Sequence, residues 1–434
     1  MSKLKVYSWM TKNKLMTYTF IALVILVAVS AVSFWPTSII ISVIAVAVAV
    51  GLDYLLSLVM KAKGPKNTLS AAVFGLIVAL SYSLGLPSTN TVEILPLTAP
   101  QAYYYVAIIT ALGITLLKKG QNLLGRKYVN PAAAAKILIL FPFLNSILLS
   151  PDHLTTAFTG TGLPALTSPI GYSGLASFAF WIQTCLGNNI VQWAPSDVFY
   201  TFVIQKFHGW VGGASSLAVI IVGVGLFLAC RKYVKWRITL AYFGTVGLMS
   251  ILMTGLYGGD PLIRLGFELF IGSSIFLAFF MLTDPATTPL TFTGQIIFGV
   301  GVGILTVVFQ TYLNFLGGSV IALVIMNLTS PLLDNIGLRK PTEEKKTHIL
   351  PKAKQFGTVT TVDCIRCGEC MVKCCHNLSP ILIKEAFDKN KTKKLRKLKT
   401  DLCDGCGNCN YVCPSRIDLK GSILRAKVSI RQIQ

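Results

Sequence analysis

The chain has 434 residues, 53% of them hydrophobic and only 13% charged, with a mean hydropathy of +0.65 and a formal net charge of +22. A soluble protein of this length needs more charge to cover its surface, so an ordinary soluble enzyme is excluded and a chain embedded in a bilayer is indicated. The basic balance is not assigned to nucleic acid, because the motifs of such binding are absent.

The opening MSKLKVYSWMTKNK (1–14) is basic and leads into an apolar run too long for a signal-peptide core, without a small-residue cleavage site. It is read as a retained first helix. Apolar runs that can cross about 30 Å of hydrocarbon recur at 15–35, 37–60, 69–87, 100–117, 131–150, 213–230, 238–257, 265–282, 294–313 and 317–334. They predict an all-α polytopic membrane protein with about ten transmembrane helices. Basic loops at 61–66, 118–127 and 231–237 follow the second, fourth and sixth runs. The loops after the first, third and ninth carry no Lys or Arg, and the loop after the seventh has only Arg264. By the positive-inside rule the N-terminus is cytoplasmic, and an even number of crossings returns the C-terminus to the same side of the cell membrane.

Between the fifth and sixth runs, 151–210 is an unusually long external stretch. Its first part is rich in Thr and Gly, the composition of a site, and 176–193 reads as an interfacial or re-entrant segment. Asn130-Pro131 has the pattern of a helix start, Asn as cap and Pro in the first turn, and Asp284-Pro285 has the same pattern for the ninth helix. Both sit at inner helix ends, where free N–H groups favour an electron-rich ring or an anion. A transporter uses identical breaks. Thr283, Thr287 and Thr288 either bond a ring edge or satisfy helix ends, and Ser215 belongs with these candidates.

Of eleven cysteines, all but Cys185 and Cys230 lie between 364 and 413. Clustering in CxxC triplets favours metal in a reducing compartment over disulfides. Cys364, Cys367, Cys370 and Cys374 follow C-x₂-C-x₂-C-x₃-C, and Cys403, Cys406, Cys409 and Cys413 repeat it, with Pro414 next. Three closely spaced cysteines occupy three corners of a cubane, and the fourth reaches the other cluster. The expected [4Fe–4S] sets are therefore Cys364, Cys367, Cys370 and Cys413, and Cys403, Cys406, Cys409 and Cys374. Gly368, Gly405 and Gly407 let the backbone curl around sulfur. Zinc sites use CxxC pairs on longer spacers. Cys375 stands where proline usually follows the fourth cysteine and is read as a buried spare thiol. The expected domains are 1–335 in the membrane, a polar linker at 336–355 and an α+β bacterial-type dicluster ferredoxin domain at 356–434.

CGNCNYVCPSRIDL (406–419) and CIRCGECMVKC (364–374) resemble the dicluster module of the C subunit of the Rnf complex, a membrane-bound ferredoxin:NAD oxidoreductase. FFMLTDPATTPLTFTGQIIFG (279–299) is similar to the hallmark stretch of the Rnf D subunit and of the B subunit of the sodium-pumping NADH:quinone reductase. GRKYVNPAAAAK (125–136), GWVGGASSLAVIIVGVGLFL (209–228) and ALVIMNLTSPLLD (322–334) fall in that family's order. The resemblance covers about 15–335 and implies two five-helix bundles, a flavin mononucleotide (FMN) esterified to an external threonine, and riboflavin within the bundle. The flavinylation motif, roughly D-x-x-[ST]-x-A-T, falls on 152–158, where Phe158 occupies the acceptor position and cannot form the ester. Thr156, Thr159 and Thr161 remain as nearby candidates. Glycine also stands where the family tends to carry Glu, within Gly212-Gly213-Ala214-Ser215 and near Gly317.

The expected function is that of a redox subunit passing electrons between a cytoplasmic low-potential carrier and membrane flavin through two [4Fe–4S] clusters, with ion translocation as a further element. The alternatives are a transporter with a redox-sensing tail and an anchor for a larger soluble oxidoreductase. Beyond 338, Lys and Arg outnumber Asp and Glu, which suits an acidic ferredoxin or flavodoxin-type carrier or anionic lipid. Other membrane and soluble subunits of an electron-transfer complex complete the expected partners.

Overall fold

The computed structural model describes residues 10–59, 68–82, 99–121, 126–138, 203, 210–257, 261–270, 274–312, 318–350 and 362–432. Helix is found in each apolar run read from the sequence. Lys12–Val32, Thr37–Val59, Trp236–Leu256 and Phe292–Tyr312 are long and apolar enough to cross a membrane, and Thr68–Leu80, Ser216–Ala229 and Gly318–Leu333 are shorter apolar helices. Their outward faces carry exposed Ile25, Val43, Leu58, Leu228, Leu248, Leu252, Ile296 and Leu332. Such a surface is unfavourable in water and natural against lipid.

Helices Lys12–Ser33, Thr37–Val59, Thr68–Leu80 and Ala99–Leu112 pack on one another. A second group is built around Trp236–Tyr257 and Phe292–Tyr312, with Pro261–Phe270 and Gly318–Leu333 against them. Small residues bring the backbones close, as is usual in membranes. A Cβ on Gly75 would lie 2.6 Å from the Ala45 carbonyl oxygen, and one on Gly299 would lie 2.6 Å from that of Ile238. Lys12–Ser33 also packs on Ser216–Ala229 and so joins the groups.

Each group contains a helix that opens into a π-helical segment before a break. Gly113–Gly120 precedes Asn130-Pro131, and Leu277–Met281 precedes Asp284-Pro285. The first break is a helix start as expected: the Asn130 Oδ1 accepts from the N–H groups of Ala132 (3.0 Å) and Ala133 (3.3 Å), and helix runs from 131 to 138. The second differs. The ninth helix begins at Phe292, and Asp284 instead caps a tight turn, accepting from Ala286 N–H at 3.1 Å while its carbonyl accepts from the Thr288 hydroxyl at 2.7 Å. Pro289 removes a backbone donor inside the stretch, which keeps it from continuing as helix.

The cysteine-rich part is built from Glu369–Val372, Pro380–Asp388, Thr392–Lys397, Asn408–Tyr411 and Leu419–Arg431. Among its described residues there is no strand, so the β component expected there is not seen. Its core consists of Leu378, Ile381, Ile383, Leu395, Leu419, Ile423 and neighbours, and it includes Leu290 from the membrane part. Ile365, conversely, is buried in the large membrane core. The two parts therefore interlock. Residues 338–350, expected as a linker, are strapped along this part through Thr342 N–H to His376 O (3.1 Å) and Lys346 N–H to Cys375 O (3.0 Å).

Candidate functional site

The two cysteine runs have the same backbone. Arg366 and Gly405, each two residues after a first cysteine, have φ of 54° and 75°; Gly368 and Gly407 have 81° and 83°; Asn377 and Arg416, each three residues after a fourth cysteine, have 53° and 54°. Left-handed residues at these places wrap the chain tightly, and glycine takes them without strain. Main-chain N–H groups turn toward sulfur in the process, as where Arg366 N–H donates to Cys364 Sγ at 3.3 Å.

One cavity brings cysteines of the two runs together. Cys364, Cys367, Cys370 and Cys413 line one small cavity, closed by Ile381 and Ile417. Burial pushes the Cys409 thiol up to about 12, and the neighbouring charges that add to this are those of Cys403, Cys374 and Cys406. Cys370 is likewise raised, by burial first and then by Cys367, Cys364, Cys413 and Cys409. Such thiols ionise only when metal displaces their protons. Four thiolates on a single zinc lie within about 4 Å of one another, because each Zn–S bond is about 2.3 Å. Among the described residues no group of three or more His, Cys, Asp or Glu side chains is placed to hold a metal ion. Cys375 is buried and accepts from Asn408 Nδ2 at 3.1 Å.

A larger cavity, about 450 Å³, opens where the two breaks meet, a size typical of small-molecule sites. Asn130, Thr283 and Asp284 line it, with the aromatic rings of Phe74, Tyr233, Phe279 and Phe280 and the charged side chains of Lys12, Lys118, Lys127 and Arg126. Cys364, Ile365 and Arg366 complete its wall and belong also to the four-cysteine cavity. Asn130 Nδ2 donates to Met281 O at 3.3 Å, tying one break to the other. The Thr283 hydroxyl is spent on Phe279 O (2.7 Å). Thr287 and Thr288 are fully buried, and Lys235 Nζ fastens their turn through Pro285 O (2.9 Å), Thr288 O (2.9 Å) and Thr288 Oγ1 (3.0 Å). These two threonines therefore shape the turn without lining the cavity.

Ser215 lies away from the cavity as the cap of Ser216–Ala229, accepting from Ala218 N–H at 3.3 Å. Gly212 has a packing reason, since a Cβ there would meet Phe276 at 2.7 Å and Leu80 at 2.8 Å. Thr156, Thr159, Thr161 and Gly317 lie outside the described residues. Three groups were missed by sequence reasoning. Asp334 accepts from Arg126 (2.6 Å) and Arg366 (2.6 Å) and, through Oδ1, from Leu290 N–H (2.8 Å). Lys235 pins the turn. Glu268, 1% exposed, is a buried carboxylate of the membrane part beside Tyr242, whose hydroxyl faces Ser274 and Thr306.

A helical membrane fold with paired breaks around one cavity defines the class: a polytopic membrane protein. Residues 5–342 match the model of the NQR2, RnfD, RnfE family, and the chain belongs to that family. It is similar to the D subunit of the proton-translocating ferredoxin:NAD(+) oxidoreductase complex of Clostridium ljungdahlii, 28% identical over 53% of this chain and 66% of the relative. It is also similar to the D subunit of the Na(+)-translocating ferredoxin:NAD(+) oxidoreductase complex of Acetobacterium woodii, 26% identical over 62% of this chain and 71% of the relative. The D subunit of the ion-translocating oxidoreductase complex of Shewanella amazonensis is 28% identical over 55% of this chain and 71% of its own length.

Proposed function

We propose that this chain is a membrane electron-transfer subunit of an Rnf-like oxidoreductase, carrying electrons between a cytoplasmic low-potential carrier and a membrane flavin. In this reading 1–335 form about ten transmembrane helices in two five-helix bundles, both termini are cytoplasmic, and 356–434 form a dicluster ferredoxin module. Cys364, Cys367, Cys370 and Cys413 hold one [4Fe–4S] cluster, and Cys403, Cys406, Cys409 and Cys374 hold the other. The partners are other membrane and soluble subunits, an acidic ferredoxin or flavodoxin-type carrier, and anionic lipid.

One observation carries the reading: Cys364 belongs both to the four-cysteine cavity and to the aromatic-walled cavity at Asn130 and Asp284. When bound, the clusters and flavin supply the one-electron chemistry, and the chain's own residues set their separation and surroundings. Phe279 and Phe280 offer apolar surface to a planar ring, and the Asn130–Met281 bond holds the two breaks at fixed spacing. Arg366, held by Asp334, keeps the first cysteine loop on the cavity wall. The test is purification under anaerobic conditions with iron, sulfide and flavin assays and EPR spectra. Two cluster signals and a flavin support the proposal; protein with clusters and no flavin of any kind would make the chain an anchor instead.

Ion translocation is favoured by one separate observation, the buried Glu268 carboxylate among Tyr242, Ser274 and Thr306 in the membrane part. Intramembrane carboxylates are costly and mark ion or proton paths. In the intact complex, Glu268→Gln should lower ion uptake per electron while flavin and cluster content stay unchanged. Unaltered coupling would remove Glu268 from the path.

A further inference from the structure

The two cysteine sets proposed for clusters face different surroundings. Cys364 of the first set opens onto the cavity of the membrane part, and Cys367 packs against the large membrane core. In the second set Cys403 is half-buried and Cys406 is exposed. Cys406 stands between Gly405 and Gly407, and the Lys420 side chain lies over both glycines. A Cβ on Gly405 would meet Lys420 Cε at 3.5 Å and Leu424 at 3.7 Å, and one on Gly407 would meet Lys420 Cδ at 3.8 Å. Lys427 Nζ donates to Cys403 O at 2.9 Å. These side chains come from Leu419–Arg431, a helix with four Lys and Arg and no acid. Lys420, Leu424 and Val428 recur every fourth residue and so share one face. Leu424 and Val428 are exposed on it.

The basic surface continues beyond this helix. Thr392–Lys397 packs on Leu419–Arg431 and on the turn Thr400–Leu402 that leads into Cys403. Seven of the eleven residues from 389 to 399 are Lys or Arg, and Lys393, Arg396 and Lys397 are exposed. Among the described residues, the ion pairs of the cysteine-rich part are made by Lys345, Arg366, His376 and Lys384, none of them on these two helices. Such a field steers an acidic partner, and apolar side chains within it give that partner a surface to exclude water from. We propose that the face of Lys420, Leu424 and Val428, with the neighbouring Lys393 and Lys397, docks a small acidic iron–sulfur carrier protein against Cys406. A lipid surface also pairs lysine with apolar side chains. The exposed cysteine beside this face favours a carrier protein, which must approach a cluster closely to exchange an electron with it. The inference rests on the reading of the cysteines as ligands of two clusters. It adds which set meets the carrier and through which residues.

The experiment uses the full chain, isolated anaerobically in detergent, and an immobilised acidic 2[4Fe–4S] ferredoxin in its oxidised form, so that binding is read without turnover. Binding should weaken as salt rises. Lys420→Glu, and Lys393→Glu together with Lys397→Glu, should each weaken it about tenfold, the scale of one charge-assisted contact. Val428→Ser should weaken it at every salt concentration. Arg231→Glu, the same reversal at an exposed position on a membrane loop, should change it by less than about twofold. Iron and sulfide content should stay the same in all of them. Clusters intact, with binding absent or indifferent to Lys420 and Val428, overturns the docking face and spares the cluster reading. A chain that holds no iron overturns the cluster reading itself. In nanodiscs of anionic lipid the binding should persist. Its loss there, with binding kept in zwitterionic nanodiscs, assigns the face to lipid headgroups and ends the proposal.

Discussion

Asp334, the residue after the Gly318–Leu333 helix, receives Arg366 from within the first cysteine loop at 2.6 Å, and the same carboxylate oxygen receives Arg126 at 2.6 Å. The carboxylate is 2% exposed. One buried acid thus couples both halves of the membrane part to the cysteine-rich part. Removing one partner of a buried pair costs about 3–5 kcal/mol, because the remaining charge stays buried. Asp334→Asn should therefore loosen the loop from the membrane part. Hydrogen exchange of the amides from Ile365 to Gly368 should accelerate by more than about tenfold. Unchanged exchange in that variant would show that apolar contacts alone hold the joint. Arg366→Lys should behave similarly, since lysine lacks the planar fork that serves two carboxylates.

The crossed arrangement of cysteines gives a second expectation. About eight irons and eight sulfides should bind per chain. Cys413→Ser, although it lies in the second run, should damage the cluster of the first run, and Cys374→Ser should damage the other. EPR of the reduced variants reads this directly. Loss of the signal belonging to the same run would mean that each run holds its own cluster, and one zinc without iron would end the cluster reading.

How much of this was legible in the sequence depended on range. Apolar runs and the Asn130 cap are local patterns: helix is found within each run where residues are described, the cap is found as read, and Gly368, Gly405 and Gly407, expected to let the chain curl, take left-handed φ. Asp284-Pro285 carried the same dipeptide signal as Asn130-Pro131, yet it closes a turn, because Lys235 fastens Thr288 and Pro289 breaks the chain before helix can form. Arg366 takes the left-handed position that Gly405 takes in the other run, a role hidden by its side chain. The joint at Asp334 was illegible because its partner Arg126 lies 208 residues away. A lone aspartate after a helix carries no sign of what it meets. Lys12 and Lys118 looked like ordinary inside-loop charge, and only folding buries them on a cavity wall.

Topology is open to a simple measurement. Basic loops lie at 118–127 and 231–237, and the cysteine-rich part is docked at Lys12, whose N–H donates to Pro414 O at 3.1 Å. Reporter tags at the C-terminus and within 231–237 should report cytoplasm, and a tag near Thr167 should report the outside. An external C-terminal tag would cut the tail off from any cytoplasmic carrier.

The last expectation concerns the flavin and rests on distance. The cavity at Asn130 and Asp284 shares Cys364 with the four-cysteine cavity, whereas in the proposed topology a Thr-rich segment on the outside would be about 30 Å of hydrocarbon away from a cytoplasmic tail. Electrons do not cross that gap quickly in one step, so under the proposed function a flavin that communicates with the tail would be the inner one. Among the described residues the two threonines that line the inner cavity, Thr19 and Thr283, donate their hydroxyls to Leu15 O and Phe279 O, and Thr287 and Thr288 are buried in their turn. With Phe158 at the external acceptor position, the flavin should be non-covalent and should leave on denaturation, giving a denaturing gel without a fluorescent band at this chain. Asn130→Ala should lower flavin content as well, because it removes both the cap and the tie to Met281; a lost N-cap alone costs about 1 kcal/mol. A fluorescent band that persists in the gel would contradict the reading of Phe158, and single substitutions at Thr156, Thr159 and Thr161 would then locate the acceptor.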